Sequence, residues 1–408
     1  MGNPTKNQKV TLGAAIFIAV NAMIGAGVLT MPAKLSLLVG PAGLISCFLS
    51  IFLVLCIGLS FGRAAKIFPG EGWSYLYPSK WAGHKTGLIS SFFYLFGVLI
   101  GMGVLVQQAG VYCHSFITFI PALPLGIIVI LILMGLILAG TEVSSIVQYI
   151  IGVCVVLKLP LLLLGIFCLF NFDIKLVTPF IPYGTMSIFN AMPVVLFSLF
   201  GFECIASLYA VVRDPDKNIS KVFMISIPVV GILYILFTYG ILFAIPTEYF
   251  SGGLNVPLSQ VLAGYFPGAN FLSYFVLIGA FFAIIGTLHS MLWSLSALLT
   301  STLKRTKSKF VRNILVDGFW NEKVSVVVTS AIIIFFALLI EGDVLLPMTG
   351  LFIVSAYILS IAALLFVKEE WKSGHNVITL IGLVGGAFMV YFAWLGSIPP
   401  FLKLINLL

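Results

Sequence analysis

Long apolar runs follow one another through this chain and constrain its fold more than any other feature of the sequence. A hydrocarbon core about 30 Å thick needs roughly 20 apolar residues in a helix. About eleven runs reach that length, at 10–38, 41–66, 87–115, 121–140, 143–170, 186–212, 221–245, 270–303, 323–341, 344–367 and 377–396. Hydrophobic residues make up 61% of the chain and charged residues 8%, which excludes the ordinary soluble classes. The sequence therefore predicts an all-α polytopic membrane protein with no soluble domain.

The basic residues are distributed unevenly between alternate loops. With the N-terminus inside, 17 of the 21 lysines and arginines fall in inside segments. The remainder are Lys34, Lys175 and Lys403, which fall outside, and Lys158, which lies within a span. Because cytoplasmic loops carry the excess of Lys and Arg, this bias predicts a multi-pass protein of the cytoplasmic membrane with a cytoplasmic N-terminus.

The first apolar run contains Gly25 and Gly27 near its middle. Each glycine weakens a helix by about 1 kcal/mol relative to alanine. Two interpretations fit this pair. The glycines can form a face for close packing of helices, or they can mark an unwound turn, which survives in hydrocarbon only where it is buried or lines a cavity.

The sixth run is interrupted in a similar way. Pro193 removes a backbone donor, Gly201 weakens the helix two turns later, and Glu203 places a carboxyl group deep in the span. Broken helices at matching positions in two halves indicate the midplane site of a transporter. Because five spans separate the first and sixth runs, the second half would lie inverted relative to the first. The predicted halves are 10–170 and 186–367, with an extra helix at 377–396.

Four segments in this order resemble the amino acid–polyamine–organocation (APC) superfamily of transporters. They are Ile24–Val28 in the first run, Phe68–Tyr75 in the first inside loop, Phe200–Glu203 in the sixth run and Arg213–Ile219 after it. The resemblance implies a LeuT-like fold of five plus five helices and transport of amino acids by alternating access. The sequence departs from the family pattern in two ways, and both concern the subfamily. Tyr209–Val211 stand where many members have acidic residues, and about eleven spans are predicted here where many members have twelve.

The two breaks supply the expected substrate site. Half-helix N-termini carry free N–H groups and partial positive charge, which suit a carboxylate, and freed carbonyls suit an α-ammonium group. The predicted substrate-binding residues are Ile24, Gly25, Ala26, Gly27, Val28, Phe197, Phe200, Gly201 and Glu203. By the resemblance, Phe197 stacks on the substrate and Met102 lines the site. Glu203 has two interpretations: it gates transport or couples it to the substrate, or it is a protonated glutamate that bonds a backbone carbonyl and so fixes the break.

Lys158 lies deep in the fifth run. A charged group at such a depth is expensive and is by default a candidate for function. In the resembling transporters, a lysine on the fifth helix replaces a sodium ion between the first and eighth helices. That implies proton-coupled, sodium-independent symport, with Thr287 and Ser290 as neighbours of Lys158. Exchange of an amino acid against an amine or polyamine is the alternative, and a channel or membrane sensor is a remote one.

Enzyme signatures are not found in the sequence. We find no zinc-binding His-Glu-x-x-His, no phosphate-binding glycine loop with lysine and no supported nucleophile arrangement. The chain is therefore predicted not to be an enzyme and to use no cofactor or metal. The expected partners are an amino acid substrate, a proton as coupling ion and membrane lipid, without nucleic acid; the sequence carries no signal for the oligomeric state.

Overall fold

The computed structural model describes most of the chain and consists of α-helices joined by short loops. The described residues are 10–70, 72–139, 159–207, 209, 212–253, 256–266, 270–305, 313, 320–339, 342–368, 371 and 373–405. The helices of the first half are α1 Leu12–Met23, α2 Ala26–Leu38, α3 Gly43–Ile67, α4 Trp73–His114, α5 Ala122–Leu138 and α6 Leu159–Phe170. Those that follow are α7 Met186–Leu199, α8 Cys204–Ser207, α9 Pro215–Leu242, α10 Leu258–Tyr265, α11 Asn270–Lys304, α12 Glu322–Leu339, α13 Gly342–Ile361 and α14 Asn376–Ile405.

The lengths and composition of these helices confirm the predicted all-α polytopic membrane protein. Within the described ranges, seven helices are long and apolar enough to cross a membrane, and the bent pair α1 and α2 makes an eighth candidate. Two shorter apolar helices, α5 and α7, lie in further predicted runs. Large apolar side chains such as Phe48, Phe92 and Phe335 are exposed. A surface of this kind is stable against lipid rather than water.

Helix α4 begins earlier than the sequence predicted. The third apolar run starts at about residue 87, yet helical structure begins at Trp73 and changes direction at Gly83. Gly83 has φ +79°, a conformation in which glycine lacks the steric cost of other residues. The segment from Trp73 to Gly83 was predicted as part of an inside loop; it is instead a helix that precedes the apolar part of α4.

The two broken helices pack at the centre of the bundle. Helix α2 contacts α7, α1 contacts α9 and α11, and α4 contacts α13, α11, α12 and α5. Helix α14 lies against α13 and α3. Residues at the breaks, including Met23, Ile24 and Leu199, are buried. The irregular backbone is therefore enclosed by protein, as a span interrupted inside hydrocarbon requires.

Candidate functional site

The first run is a broken helix, as the sequence predicted. Helix α1 ends at Met23, α2 begins at Ala26, and their axes differ in direction by 45°. The backbone N–H of Ile24 donates to the carbonyl of Val20 and that of Gly25 to Met23. Gly25 stands at the N-cap position of α2 and has no side chain with which to cap it. The first N–H groups of α2 therefore have no partner inside their own helix.

The second break follows α7 and is held by Glu203. Phe200 is extended and Gly201 has φ +106°, a region that favours glycine. The buried carboxyl group of Glu203 accepts hydrogen bonds from the Gly201 N–H at 2.9 Å and the Tyr94 hydroxyl at 3.0 Å. The Tyr357 hydroxyl also lies near this carboxyl group, without a hydrogen bond of good geometry. Glu203 thus holds the backbone at the break by accepting from a backbone N–H and a hydroxyl, rather than by bonding a carbonyl as the structural interpretation had it.

The two breaks cross in opposite directions and touch through glycine. A Cβ added to Gly27 would lie 2.5 Å from the Cα of Ser198, and one added to Gly201 would lie 2.6 Å from the carbonyl oxygen of Ala22. The Ser198 hydroxyl donates to the Gly27 carbonyl at 3.1 Å. Since Ala22 precedes Gly27 while Gly201 follows Ser198, the chains run antiparallel here. This is the arrangement that inverted halves would give.

A small cavity of about 50 Å³ lies beside the paired breaks. It is lined by Ala22, Met23, Gly25, Gly27, Val98, Gly101, Met102, Leu105, Phe197, Ser198, Phe200, Thr287, Met291, Thr349 and Ile353. The side-chain polar groups in this lining are the hydroxyls of Ser198, Thr287 and Thr349. Among the residues that the structure describes, no lining side chain is charged, and most of the wall is apolar. Such a wall suits a ligand whose charges meet backbone groups and whose remainder is apolar.

The cavity brings together part of the predicted substrate site. Gly25, Gly27, Phe197 and Phe200 line it, and so does Met102. Four other predicted substrate-binding residues are not among its lining residues: Ile24, Val28, Gly201 and Glu203. They lie within or next to the same two breaks, where the backbone of Ala26 and Val28 forms the first turn of α2.

The predicted coupling residues are placed differently from one another. Thr287 lines the cavity and faces the first break, because a Cβ added to Gly25 would lie 2.6 Å from the Thr287 Oγ1. The hydroxyl of Ser290 donates to the carbonyl of Gly286 at 2.8 Å, and Ser290 is not a lining residue. Lys158 lies outside the described residues.

Several contributors to the site were not predicted from the sequence. Thr349 and Ile353 on α13 and Met291 on α11 line the cavity. The Tyr234 hydroxyl on α9 donates to the Met23 carbonyl at 2.7 Å and so caps the end of α1. The hydroxyl of Thr349, which lies within an apolar run, could have indicated from the sequence that this residue faces the site. The others are ordinary core residues in sequence, and only packing brings them to the breaks.

The chain segments that flank the breaks are joined on the side away from α2 and α7. Val10, just before α1, forms an isolated parallel bridge with Val212, after α8. The Arg213 N–H donates to the Val10 carbonyl at 2.9 Å. This pair, which we name the Val10–Val212 bridge, ties the start of the first broken helix to the end of the second.

An aromatic cluster surrounds Glu203 on the same side of the breaks. The Trp73 ring lies 4.7 Å from the Tyr94 ring and 4.8 Å from the Phe61 ring. The Trp73 indole N–H donates to the Ser207 hydroxyl on α8 at 3.1 Å. Helix α4 is therefore connected to Glu203 through Tyr94 and to α8 through Trp73. Among the described residues, no group of three or more His, Cys, Asp or Glu is placed to hold a metal ion.

The comparison with known proteins agrees with this geometry. The family model described as amino acid permease matches residues 11–403 of the chain. The chain belongs to the amino acid permease family.

The curated relatives have low sequence identity to this chain, and only part of each relative is matched by it. The chain is 24% identical over 322 residues to the branched-chain amino acid permease BcaP of Bacillus subtilis, covering 71% of this chain and 66% of that protein. It is 24% identical over 250 residues to the uncharacterised amino acid permease YecA of the same organism, covering 58% and 56%. The inner membrane transport protein YbaT of Escherichia coli is 21% identical over 237 residues, covering 56% and 54%. The match thus spans between about half and two thirds of the length of these relatives.

Proposed function

We propose that the protein is a secondary transporter that carries a neutral amino acid with an apolar side chain across the cytoplasmic membrane by alternating access. The observation that carries the proposal is the cavity between two antiparallel broken helices, with backbone groups at one wall and apolar side chains at the other. Membership of the amino acid permease family supports it. The name of BcaP, a branched-chain amino acid permease, fits the same substrate class.

The α-carboxylate of the substrate would bind at the start of α2. The N–H groups there are the positive end of a half-helix, and Gly25 leaves them open for close approach. The Thr287 hydroxyl lies against Gly25 and adds a polar group to this wall. The α-ammonium group would meet carbonyls at the ends of α1 and α7, beside the Ser198 hydroxyl. Both charges would thereby meet backbone groups and hydroxyls, since none of the described lining residues is charged.

The substrate side chain would point away from the breaks. Met102, Leu105, Met291 and Ile353 form an apolar part of the wall there. The described part of this wall offers a charged side chain no charged partner, so such a side chain would lose its hydration there at a cost of several kcal/mol. The cavity therefore favours aliphatic substrates over arginine, lysine, aspartate and glutamate.

Alternating access would proceed by tilting of the half-helices and rocking of the two halves. The Val10–Val212 bridge and the Trp73 to Ser207 hydrogen bond join the flanking segments on one side of the cavity. Opening on that side requires both contacts to break. With the topology predicted from the lysine and arginine bias, that side is the cytoplasmic one.

Coupling to protons, without sodium, is the second part of the proposal. Lys158 would take up a proton from outside, favour substrate binding and release the proton inside, with Thr287 and Ser290 as neighbours. Its support is the position of Lys158 deep in an apolar run, together with the contact of Thr287 on the first break. Loss of this lysine should uncouple substrate uptake from the pH gradient.

Uptake by the purified protein in proteoliposomes tests both parts. We expect radiolabelled leucine, isoleucine or valine to accumulate when the outside is made acidic, and we expect unlabelled arginine and glutamate to compete poorly. Lys158→Ala should lose the response to the pH gradient, whereas Lys175→Ala should keep it, because Lys175 is exposed and does not line the cavity. Full gradient-driven uptake by Lys158→Ala would refute the coupling role. Uptake that needs internal substrate instead of a gradient would indicate exchange, and continuous conductance would indicate a channel.

A further inference from the structure

A second and much larger cavity lies between α2, α7, α13 and α14. Its volume is about 570 Å³, within the range of roughly 300–1,000 Å³ that is typical of small-molecule sites. It is lined by Lys34, Leu38, Met186, Asn190, Pro193, Val194, Leu346, Pro347, Tyr391, Phe392, Leu395 and Gly396. We name it the α14 groove. It shares no lining residue with the cavity at the breaks.

The depth of the groove in the membrane follows from the breaks. Broken helices of this kind meet near the bilayer midplane. Lys34 lies eight residues after the start of α2, and Asn190 lies nine residues before the end of α7. At about 1.5 Å per residue, both lie roughly 12–14 Å from the midplane, close to the edge of a hydrocarbon core about 30 Å thick. From this position a lysine side chain can extend toward the interface, which brings its ammonium group within reach of the lipid phosphates.

The groove is open to lipid rather than enclosed by protein. Leu38, Met186 and Tyr391 line it and are also exposed on the surface of the bundle. Tyrosine is enriched at the membrane interface, where its ring lies in the apolar region and its hydroxyl reaches water. A molecule that enters from the bilayer can thus reach the groove directly.

The chemistry of the lining selects an amphiphile with a negative head. Lys34 supplies one positive charge, and Asn190 and Tyr391 supply neutral polar groups. Among the residues that the structure describes, neither aspartate nor glutamate lines the groove. The other lining residues are apolar. A soluble anion would leave this apolar surface without a partner, and a zwitterionic lipid would gain less from the lysine. We propose that the α14 groove binds an anionic phospholipid, with its phosphate at Lys34 and its acyl chains along the apolar wall.

This proposal predicts a lipid preference that depends on Lys34. The full-length protein is purified, and native mass spectrometry measures retained phosphatidylglycerol against phosphatidylcholine with the same acyl chains. The wild-type protein should retain the anionic lipid preferentially. Lys34→Gln should lower the preference about fivefold, the effect expected of one lysine near a membrane surface. Lys175→Gln is the matched control, because Lys175 is exposed and is not a lining residue, and it should leave the preference unchanged.

A second variant tests the apolar wall without a change of charge. Gly396 lies in the groove, and a Cβ added there makes only an ordinary contact, 3.8 Å from the Pro347 Cβ. Gly396→Leu should therefore fold and fill the groove, and it should lower retention of both lipids equally. The thermal unfolding of each variant in lipid-free detergent checks that the fold is kept.

Three results would overturn the proposal. The first is an unchanged preference in Lys34→Gln. The second is displacement of phosphatidylglycerol by inorganic phosphate or by leucine, which would make the occupant a soluble anion or a transported substrate. The third is undiminished lipid retention in Gly396→Leu. None of these measurements depends on transport, so the outcome is separate from that of the proposed function.

Discussion

Replacing Gly27 by alanine should impair the protein through a single methyl group. The added Cβ would lie 2.5 Å from the Ser198 Cα and 2.8 Å from its Cβ, whereas carbon atoms at optimal contact are about 3.5–4.0 Å apart. The nearest atom belongs to the backbone of α7, so no change of rotamer relieves the overlap. Helices α2 and α7 must therefore separate by about 1 Å.

The expected cost follows from two opposing effects. Overpacking of this kind costs about 1–3 kcal/mol, and alanine gains up to about 1 kcal/mol over glycine from helix propensity. A net loss of about 1–2 kcal/mol lowers the ratio of molecules with the intact crossing to molecules without it by a factor of about 5–30. The same separation also weakens the hydrogen bond from Ser198 to the Gly27 carbonyl, which measures 3.1 Å. We expect leucine uptake per molecule in the membrane to fall by at most about that factor, because only molecules with the intact crossing bind substrate.

The assay compares uptake with the amount of protein in the membrane. Gly13→Ala in α1 is the matched control, because a Cβ there has no neighbour within 4 Å and uptake should stay at the wild-type level. Gly25→Ala provides a second comparison, since its Cβ meets the Thr287 side chain at 2.6 Å. Thr287→Ala should therefore rescue folding and membrane amount of Gly25→Ala in part, whereas Ser198→Ala should not rescue Gly27→Ala. Wild-type uptake by Gly27→Ala would refute the close crossing of the two breaks.

Three further predictions concern the surroundings of the cavity. Glu203→Leu should lower thermal stability more than Glu203→Gln, because leucine leaves the Gly201 N–H and a tyrosine hydroxyl unsatisfied, at about 1–3 kcal/mol each; equal melting temperatures would contradict this. In a variant whose six native cysteines have been replaced, Val10→Cys and Val212→Cys together should form a disulfide that stops uptake until reductant is added. Each single cysteine variant should stay active. Met102→Ala should shift competition toward bulkier apolar amino acids, because a smaller side chain in the wall enlarges the cavity. An unchanged competition profile would argue against placing the substrate side chain beside Met102.

The helices and the breaks were the most predictable part of the structure. Apolar length alone specifies membrane helices, and Gly25, Gly27 and Gly201 are residues whose backbone effects are local. Such effects act at the position where the residue occurs, so a single sequence displays them. The bent first helix and the interruption after α7 are accordingly where the sequence predicted them. Pro193, which was also predicted to interrupt the sixth run, lies inside α7, which continues to Leu199.

The walls of the cavity were less predictable, for a physical reason. Thr349, Ile353 and Met291 reach the breaks because α13 and α11 pack beside them. Packing depends on which helices are neighbours, and alternation of hydropathy within a span does not encode that when both lipid and protein faces are apolar. The Val10–Val212 bridge was missed for a similar reason, since it is a backbone contact between segments about 200 residues apart and requires no particular side chain.

The two interpretations of the first glycine pair describe one arrangement. Gly27 permits close packing, since Ser198 occupies the space that a side chain would need, and it also lines the cavity. These properties depend on each other: α2 and α7 approach closely only if the side chain is absent, and the same absence leaves the first N–H groups of α2 open to a ligand. A larger residue would thus close the site and separate the helices together. For this reason, no variant at Gly27 weakens the crossing without changing the cavity. At Gly25 the overlap is with the Thr287 side chain, so Thr287→Ala can restore the packing of Gly25→Ala while any loss of substrate binding remains, and packing and binding can be measured separately there.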